Sequence, residues 1–314
     1  MNGLRFGIQG SGQQVEGLPD PAFFRAVAEL AEEVGYDSLW AGDHVSFHNP
    51  IVDVTVALST FAARTERIAI GAGVVLLPLR HPCLVAKEFA SLDFVSGGRL
   101  VLGIGVGGEG GRDFEAVQVD IHERGARTDE ALCALRELFS GPEATFAGRF
   151  FRFAGVTIEP APAQPAGPPL WVGGRSEAAV RRAGRLGDGW MPIWASPERF
   201  ARGWADVRRH AREAGRDPDR LAPAVVLPAL VGDHSQRAKA QLAEHLGRRY
   251  DIRVEPRLVD RYCLAGTAAE CGERLRAYAE AGVRHVIFNL GVGPREFLPQ
   301  CERLFTEVVV GAAA

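Results

Sequence analysis

The segments RIAIGAGVVLL (residues 67–77), VAKEFASLDFVSGG (85–98) and RLVLGIGVG (99–107) follow one another and decide the fold. The first and third are short apolar runs, the pattern of strands that are buried on both faces of a sheet. The middle segment has the periodicity of a helix and ends in glycines, which stop helices. Because a helix is the usual connection between parallel strands, this stretch predicts a β–α–β unit.

The same alternation of strands and helices continues on both sides of this unit. Further strands are predicted at 4–9, 38–42, 169–174, 189–193, 223–232 and 283–291. Residues 234–280 are predicted to be helical in two pieces. A chain with about eight strand–helix units fits a closed (β/α)8 barrel, or TIM barrel, better than an open doubly wound sheet. We expect one barrel domain over residues 1–314.

The regular alternation is interrupted between residues 143 and 169. TFAGRFFRFAGVTIEP (145–160) alternates aromatic and polar residues around glycines, which predicts a β-hairpin. It continues into PAPAQPAGPP (160–169), an extended proline-rich connector. We interpret this segment as an insertion before the fifth barrel strand. The alternative architecture is an open α/β sheet with a small cap domain made from the same residues.

Composition excludes several classes of partner. The formal net charge is −3 and the acidic and basic residues are interspersed, so the chain has no basic stripe for nucleic acid or membrane surfaces. No apolar run approaches the roughly 18 residues of a membrane span, and no export signal opens the sequence. The five cysteines form no CxxC pair and the eight histidines no HExxH motif. We expect a cytoplasmic protein that holds no metal.

A barrel of this type places its active site at the C-terminal ends of its strands. The second strand ends in LWAGDH, with Asp43 and His44 side by side. The side chains of neighbouring strand residues point in opposite directions. We therefore expect either Asp43 or His44 to face the barrel mouth and the other to brace the loop. An imidazole titrates near neutral pH and passes protons to and from reacting groups. His44 is therefore a candidate acid/base residue.

The fifth strand ends in the sequence GGRS, which has the features of an anion site. Gly173 and Gly174 allow a ligand to approach the backbone closely, and Ser176 caps the helix that follows. The amides and positive dipole at that helix end attract anions, and Arg175 adds a charge beside them. A phosphate is the natural ligand. The alternative interpretation is an ordinary tight strand–helix turn.

The fourth strand ends in GIGVGGEGG (103–111), which superficially resembles a dinucleotide-binding motif. That motif belongs to the first strand–helix unit of a chain, so we discount it here. Gly107 and Gly108 instead allow the loop to lie against a flat ligand, and Glu109 is placed to hydrogen-bond the edge of such a ligand. A solvent-exposed loop with a solvated glutamate is the alternative.

Several long stretches, in this order, are similar to the bacterial luciferase-like monooxygenase superfamily. They are AEEVGYDSLWAGDHV, TERIAIGAGVVLLPLRHP, KEFASLDFVSGGRLVLGIGVGG, ERGARTDEALCALRELFSG, FAGRFFRF and PPLWVGGRSEAAVRRAGRLGDGWMP. The resemblance implies a TIM barrel that binds a flavin, or the deazaflavin coenzyme F420, at the barrel mouth. The ring packs on a bulge after the third strand that contains a non-proline cis peptide, which falls at Gly73–Val74 in this chain.

The resemblance also implies which residues contact the cofactor. The loop with Gly173, Gly174, Arg175 and Ser176 holds the phosphate. The ring is predicted to contact the ends of the second, third and fourth strands, at Asp43, Gly73, Val74, Leu76, Gly105, Gly107 and Gly108.

The sequence GDHV at 42–45 resembles the Gly-Asp-His stretch of F420-dependent dehydrogenases, in which the histidine lies beside the hydride-transferring carbon and the acid touches the ring. His44, Asp43 and Glu109 are therefore the predicted catalytic residues. Glu109 departs from the pattern, because this chain has one glycine more before it than those dehydrogenases have.

The predicted function is an F420-dependent oxidoreductase that transfers a hydride between the deazaflavin and a small organic substrate, with His44 as acid/base. One alternative is an FMN-dependent monooxygenase that uses dioxygen and reduced flavin from a separate reductase. A second is a non-catalytic flavin-binding homologue. The resemblance also suggests a homodimer and a possible flavin or F420 reductase as partner.

Overall fold

The computed structural model describes residues 3–11, 17–108 and 111–311. Its strands are β1 Arg5–Ser11, β2 Ser38–Ala41, β3 Ala69–Leu76, β4 Leu100–Gly105, β5 Ala144–Ala147, β6 Arg152–Val156, β7 Leu170–Gly173, β8 Gly189–Met191, β9 Ala222–Val231, β10 Leu264–Gly266 and β11 His285–Leu290. Its α-helices are α1 Ala22–Val34, α2 Val54–Arg64, α3 Pro82–Val95, α4 Arg112–Ala116, α5 Arg124–Ser140, α6 Glu177–Leu186, α7 Pro197–Glu213, α8 Ser235–Tyr250, α9 Pro256–Tyr262, α10 Ala268–Glu280 and α11 Pro294–Arg303. Shorter 3-10 turns cover Leu77–Leu79, Ile121–Glu123 and Pro218–Arg220, and a π-helical segment covers Leu304–Val310.

Eight parallel strands form a closed barrel, as the sequence predicted. Their order is β1–β2–β3–β4–β7–β8–β9–β11, and β11 pairs back with β1. Helices connect successive strands, so the apolar strands are covered on the outside as well as packed within. The architecture is a TIM barrel, and it brings the C-terminal ends of all eight strands to one mouth.

The interruption before the fifth barrel strand is a hairpin, as predicted. Strands β5 and β6 pair in antiparallel fashion, with Phe146 opposite Phe153. Their rings stack with centroids 5.9 Å apart. Glu130 of α5 accepts hydrogen bonds from the backbone amides of Arg149, Phe150 and Phe151 in the turn. The insertion is thus fastened to the outer helical layer.

The region between β9 and β11 differs from the prediction of two helical pieces. It holds three helices, α8, α9 and α10, and the short strand β10. A three-residue strand is too short to produce a recognisable period in the sequence. Strand β9 is longer than its neighbour β8, and its C-terminal part, Ala229–Val231, pairs with β10 instead. Helix α8 follows β9, and its last residues, Arg249 and Tyr250, lie at the mouth of the barrel.

The interior of the barrel is packed with side chains. Trp40, Trp171, Met191, Ala224, Val226 and Ile287 form one buried cluster there. The rings of Trp40 and Trp171 lie 5.5 Å apart. A short polar chain lies beside them: Trp40 Nε1 donates to Ser38 Oγ at 2.7 Å, and Ser38 Oγ lies 2.7 Å from His285 Nε2. The arrangement suits a neutral imidazole, because Ser38 can accept from Trp40 and give its own proton to Nε2.

No helix in the described ranges is long and apolar enough to cross a membrane.

The buried imidazole predicts a loss of stability in acid. Burial lowers the pKa of His285 to about 3, against about 6.5 in an unfolded chain. Between these values only the unfolded state binds the proton, so the free energy of unfolding falls as the pH falls. Lowering the pH from 6.5 to 5 should reduce the free energy of unfolding by about 1.6 kcal/mol through this residue. Urea unfolding at several pH values measures the slope.

The matched variants are His285→Gln and His234→Gln. His285→Gln should have a shallower dependence of stability on pH over this range than the unmodified protein. The side chain of His234 is exposed, so its replacement should leave the pH dependence of the free energy of unfolding unchanged. If the two variants have the same slope, His285 is not the group responsible.

Candidate active site

A cavity of about 250 Å³ opens at the C-terminal mouth of the barrel. All eight barrel strands or the segments that follow them contribute to its wall, together with the end of α8. Ten residues singled out from the sequence line it: Asp43, His44, Gly73, Val74, Leu76, Gly105, Gly107, Gly173, Gly174 and Ser176. These residues, which come from the ends of different strands, thus share one concave surface.

One wall of the cavity is an irregular part of β3, which we call the platform, residues 73–76. The peptide bond between Gly73 and Val74 is cis, at the position that the family resemblance implied. The register between β3 and β4 shifts between Ala72 and Val75. The side chain of Val74 lies against Gly105, where a Cβ atom would come within 2.3 Å of it. Glycine at 105 thus allows the platform to pack on β4.

The Asp43 carboxylate is buried behind the platform, with 1% of its side chain exposed. Its Oδ2 accepts a hydrogen bond from the backbone amide of Leu76 at 3.0 Å. Its Oδ1 accepts one from Nη2 of Arg80 at 2.8 Å. Arg80 also reaches Asp53, which caps the N-terminus of α2. Asp43 therefore braces the end of β3 while it lines the cavity.

His44 is held by an aspartate from another part of the chain. Its Nδ1 lies 2.8 Å from Oδ2 of Asp113 in α4, and its ring stacks on Phe47 with centroids 4.2 Å apart. The other oxygen of Asp113 accepts from the backbone amides of Val45 at 2.8 Å and Ser46 at 2.7 Å. Since an ionised carboxylate only accepts, Nδ1 carries the proton and Nε2 is the atom that takes up a second one.

Both neighbours, Asp43 and His44, line the cavity, whereas strand alternation predicts that only one does. The reason is that β2 ends at Ala41. The two residues lie in the loop that follows, where the side chains no longer alternate between two faces.

The loop after β7 has the features of an anion site. Gly174 adopts the left-handed conformation, with φ of 91°, which favours glycine. Ser176 caps α6 by accepting a hydrogen bond from the amide of Ala179 at 3.2 Å. Gly173, Gly174, Ser176 and Ala179 all line the cavity. We call this group the anion cradle, because it presents the N-terminal end of a ten-residue helix to the mouth.

Three predicted site residues are not among the described lining of the cavity. Arg175 is exposed, and its Nη1 donates to the carbonyl of Ile193 at 3.3 Å. Gly108 is exposed in the loop after β4, with φ of 119°. Glu109 lies outside the described residues. Their roles remain predictions from the family resemblance.

The structure also places residues at the site that the sequence analysis did not select. Asp113 is 69 positions from His44 along the chain, in a five-residue helix after the glycine-rich loop. Arg249, Tyr250, Met191 and Ile193 line the cavity as well. An acidic residue after the fourth strand was a usable signal for Asp113. Nothing in the pattern of α8 separated Arg249 from its surface arginines.

Within the ranges described above, no group of three or more histidine, cysteine or acidic side chains is placed to hold a metal ion.

Comparison with known proteins identifies the family. The model of the luciferase-like monooxygenase family matches residues 4–285. The chain belongs to this family. A protein named F420-dependent hydroxymycolic acid dehydrogenase from Mycobacterium tuberculosis is 35% identical over 226 residues, which cover 68% of this chain and 61% of that protein. F420-dependent glucose-6-phosphate dehydrogenase from Nakamurella multipartita is 28% identical, with 91% and 90% of the two chains covered.

Solved structures of the same fold include a monooxygenase. RslO1 from Streptomyces bottropensis superposes with a TM-score of 0.84 and 26% identity, over 99% of this chain and 100% of that one. Together these relatives make the protein a luciferase-like oxidoreductase. Proteins named F420-dependent and a structure of the same fold in complex with FMN both occur among the similar proteins.

Replacing Arg80 should destabilise the site. Arg80→Leu leaves the buried Asp43 carboxylate without its cation, and such a loss costs about 3 kcal/mol of unfolding free energy. Asp53→Asn changes a second partner of Arg80. The Asp53 side chain is 45% exposed, and asparagine can still cap α2. That change should cost less than about 1 kcal/mol. Chemical denaturation of both variants measures the difference, and similar losses in the two would contradict a special role of the buried pair.

Proposed function

We propose that the protein is an F420-dependent oxidoreductase that transfers a hydride between the deazaflavin and a small organic substrate, with His44 as the acid/base residue. The observation that carries the proposal is the His44–Asp113 pair on the wall of the cavity, beside the platform and the anion cradle. The relatives that are named F420-dependent support the choice of cofactor.

The residues at the mouth fit a flat ring with a phosphorylated tail. The platform and the apolar side chains of Val106, Met191 and Ile193 offer a surface on which such a ring can lie. The anion cradle supplies helix amides for the phosphate. In this arrangement Gly73, Val74 and Leu76 would contact the ring, with Gly105 and Gly107 beside them.

Coenzyme F420, when bound, would supply or accept the hydride. The chain itself handles the proton. Because Asp113 holds the proton of His44 on Nδ1, Nε2 is the ring atom that would receive a proton from a substrate hydroxyl or, in the other direction, return it. The Asp113 carboxylate stabilises the imidazolium that forms. Asp43 has both oxygens engaged and acts by holding the platform in place.

An FMN-dependent monooxygenase is the second candidate. It is favoured by the likeness to RslO1 and by 29% identity to 4-hydroxyprotoasukamycin monooxygenase from Streptomyces nodosus over 90% of this chain. Reduced FMN would then supply the electrons for oxygen activation, and a separate reductase would be the partner. His44 would again donate or accept a proton. The homodimer and the cytoplasmic location remain predictions.

Titration of the purified protein with F420 and with FMN, each oxidised and reduced, tests the cofactor choice. We expect micromolar or tighter binding of F420, followed by the change in cofactor fluorescence, and much weaker binding of FMN. Strongest binding of reduced FMN, with oxygen consumption, would identify the monooxygenase instead. Binding without turnover under any reductant would indicate the non-catalytic homologue.

Two substitutions test the role of His44. His44→Ala should lower kcat by roughly 10²-fold or more, the usual contribution of a general acid/base, with much less effect on the Kd of the cofactor. Asp113→Asn keeps an oxygen for the amides of Val45 and Ser46 but turns an NH2 group toward Nδ1. This favours the wrong tautomer of His44, so kcat should fall here too.

Steady-state kinetics and cofactor titration should be measured on the same preparations. The matched control is His234→Ala, an exposed histidine, which should leave both quantities unchanged. Equal losses of turnover and cofactor affinity in His44→Ala would rule out the acid/base role.

A further inference from the structure

The end of α8 places a buried arginine on the wall of the cavity. Arg249 is only 6% exposed and lines the mouth together with Tyr250. Its Nη1 donates a hydrogen bond to Oδ1 of Asn289 at 2.8 Å. Its guanidinium carbon lies 5.7 Å from the centre of the Tyr250 ring. Its Nε is buried and has no hydrogen-bond partner among the described residues.

This guanidinium has no counter-charge in the described part of the chain. Among the described residues its one side-chain hydrogen-bond acceptor, Asn289, is a neutral amide. Arg80, by contrast, is paired with the carboxylate of Asp43. The nearby His245 is itself neutral: burial, together with the charges of Arg249 and Arg248, lowers its pKa to about 4. A buried cation without an anion is unfavourable. A ligand anion at this position would remove that cost.

The location of Arg249 distinguishes it from the cofactor-binding wall. In the barrel order, β9 and β11 lie across the mouth from β3 and β4. Arg249 follows β9 in the chain and is bonded to Asn289 of β11, so it faces the platform from the opposite side. A ring on the platform would turn its free face toward Arg249 and Asn289. The anion cradle is on a different strand, β7.

Arg249 is also fixed relative to His44. Its backbone carbonyl accepts hydrogen bonds from His48 Nε2 at 2.7 Å and from Asn49 Nδ2 at 3.0 Å. His48 and Asn49 belong to the loop between β2 and α2 that carries His44. The end of α8 that carries Arg249 and the loop that carries His44 are therefore hydrogen-bonded to each other, which suits a substrate that touches both.

The charges at the cavity favour one type of anion. Of the described ionisable residues that line it, Asp43 is paired with Arg80 and His44 with Asp113. Arg249 thus contributes a single uncompensated positive charge. A planar guanidinium matches the two oxygens of a carboxylate in size and shape, and one charge suits a monoanion better than a phosphate ester.

We propose that Arg249 binds a carboxylate of the substrate, so that the enzyme acts on a small organic acid whose reacting carbon lies between the platform and α8. The reaction at that carbon rests on the proposed function, whereas the recognition of the carboxylate does not depend on which cofactor is bound.

The test compares carboxylic acids with their primary amides as ligands. Benzoate with benzamide, and hexanoate with hexanamide, are matched in shape and differ in charge. Calorimetric titration of the full chain, alone and saturated with whichever cofactor it binds, should show at least one acid binding about tenfold or more tightly than its amide, the usual effect of a charge-assisted hydrogen bond.

Three variants assign the preference to Arg249. Arg249→Gln should abolish the preference for acids over amides. Arg253 is an exposed arginine four positions further along, so Arg253→Gln should keep the preference. Asn289→Asp retains Arg249 but gives its Nη1 a carboxylate partner within the protein. This variant should also lose the preference, and it remains informative if Arg249→Gln does not fold.

Equal binding of acids and amides to the unmodified protein, or no binding of either at millimolar concentration, would overturn the proposal. So would a preference that survives in both Arg249→Gln and Asn289→Asp. Failure of the cofactor assignment has a different signature, namely weak F420 binding with the acid preference intact. The two proposals can therefore fail separately.

Discussion

A closed barrel of parallel strands has no free edge, and this constraint orders the rest of the molecule. Every strand must be hydrogen-bonded on both sides, so β11 returns to pair with β1, and every connection must cross outside the sheet as a helix or loop. The C-terminal ends of the strands then meet at a single mouth. Side chains that are far apart in the sequence come together there because of the closure alone.

Three buried charged groups at this mouth have three different kinds of partner. Asp43 has a cation and a backbone amide, which fix the platform. Asp113 has two backbone amides and an imidazole, which fix the orientation and tautomer of His44. Arg249 has, among the described residues, the neutral amide of Asn289 and the face of the Tyr250 ring. The contacts of Asp43 stabilise the structure, and those of Asp113 orient the imidazole of His44. The charge of Arg249 has no counter-charge among the described residues, and a ligand anion could supply one.

The sequence was sufficient to predict the barrel, its hairpin insertion and ten of the residues that line the cavity. These features depend on local signals: apolar runs, helix stops and glycines at strand ends. Asp113 and Arg249 were missed because their roles depend on contacts with His44 and Asn289, 69 and 40 positions away. The strand β10 was missed because three residues carry no period. Local patterns thus locate the mouth, whereas tertiary contacts decide which charges there are balanced.

The packed interior of the barrel has a consequence for the order of events at the mouth. Trp40, Trp171 and Met191 pack together beneath the platform, so in the described part of the chain the barrel axis is filled and the mouth is the way into the site. Molecules must arrive and depart through the same opening. A molecule that rests against the platform must then enter before any molecule that covers it, and it must leave afterwards. The architecture thereby imposes a compulsory sequence of binding and release, first in and last out.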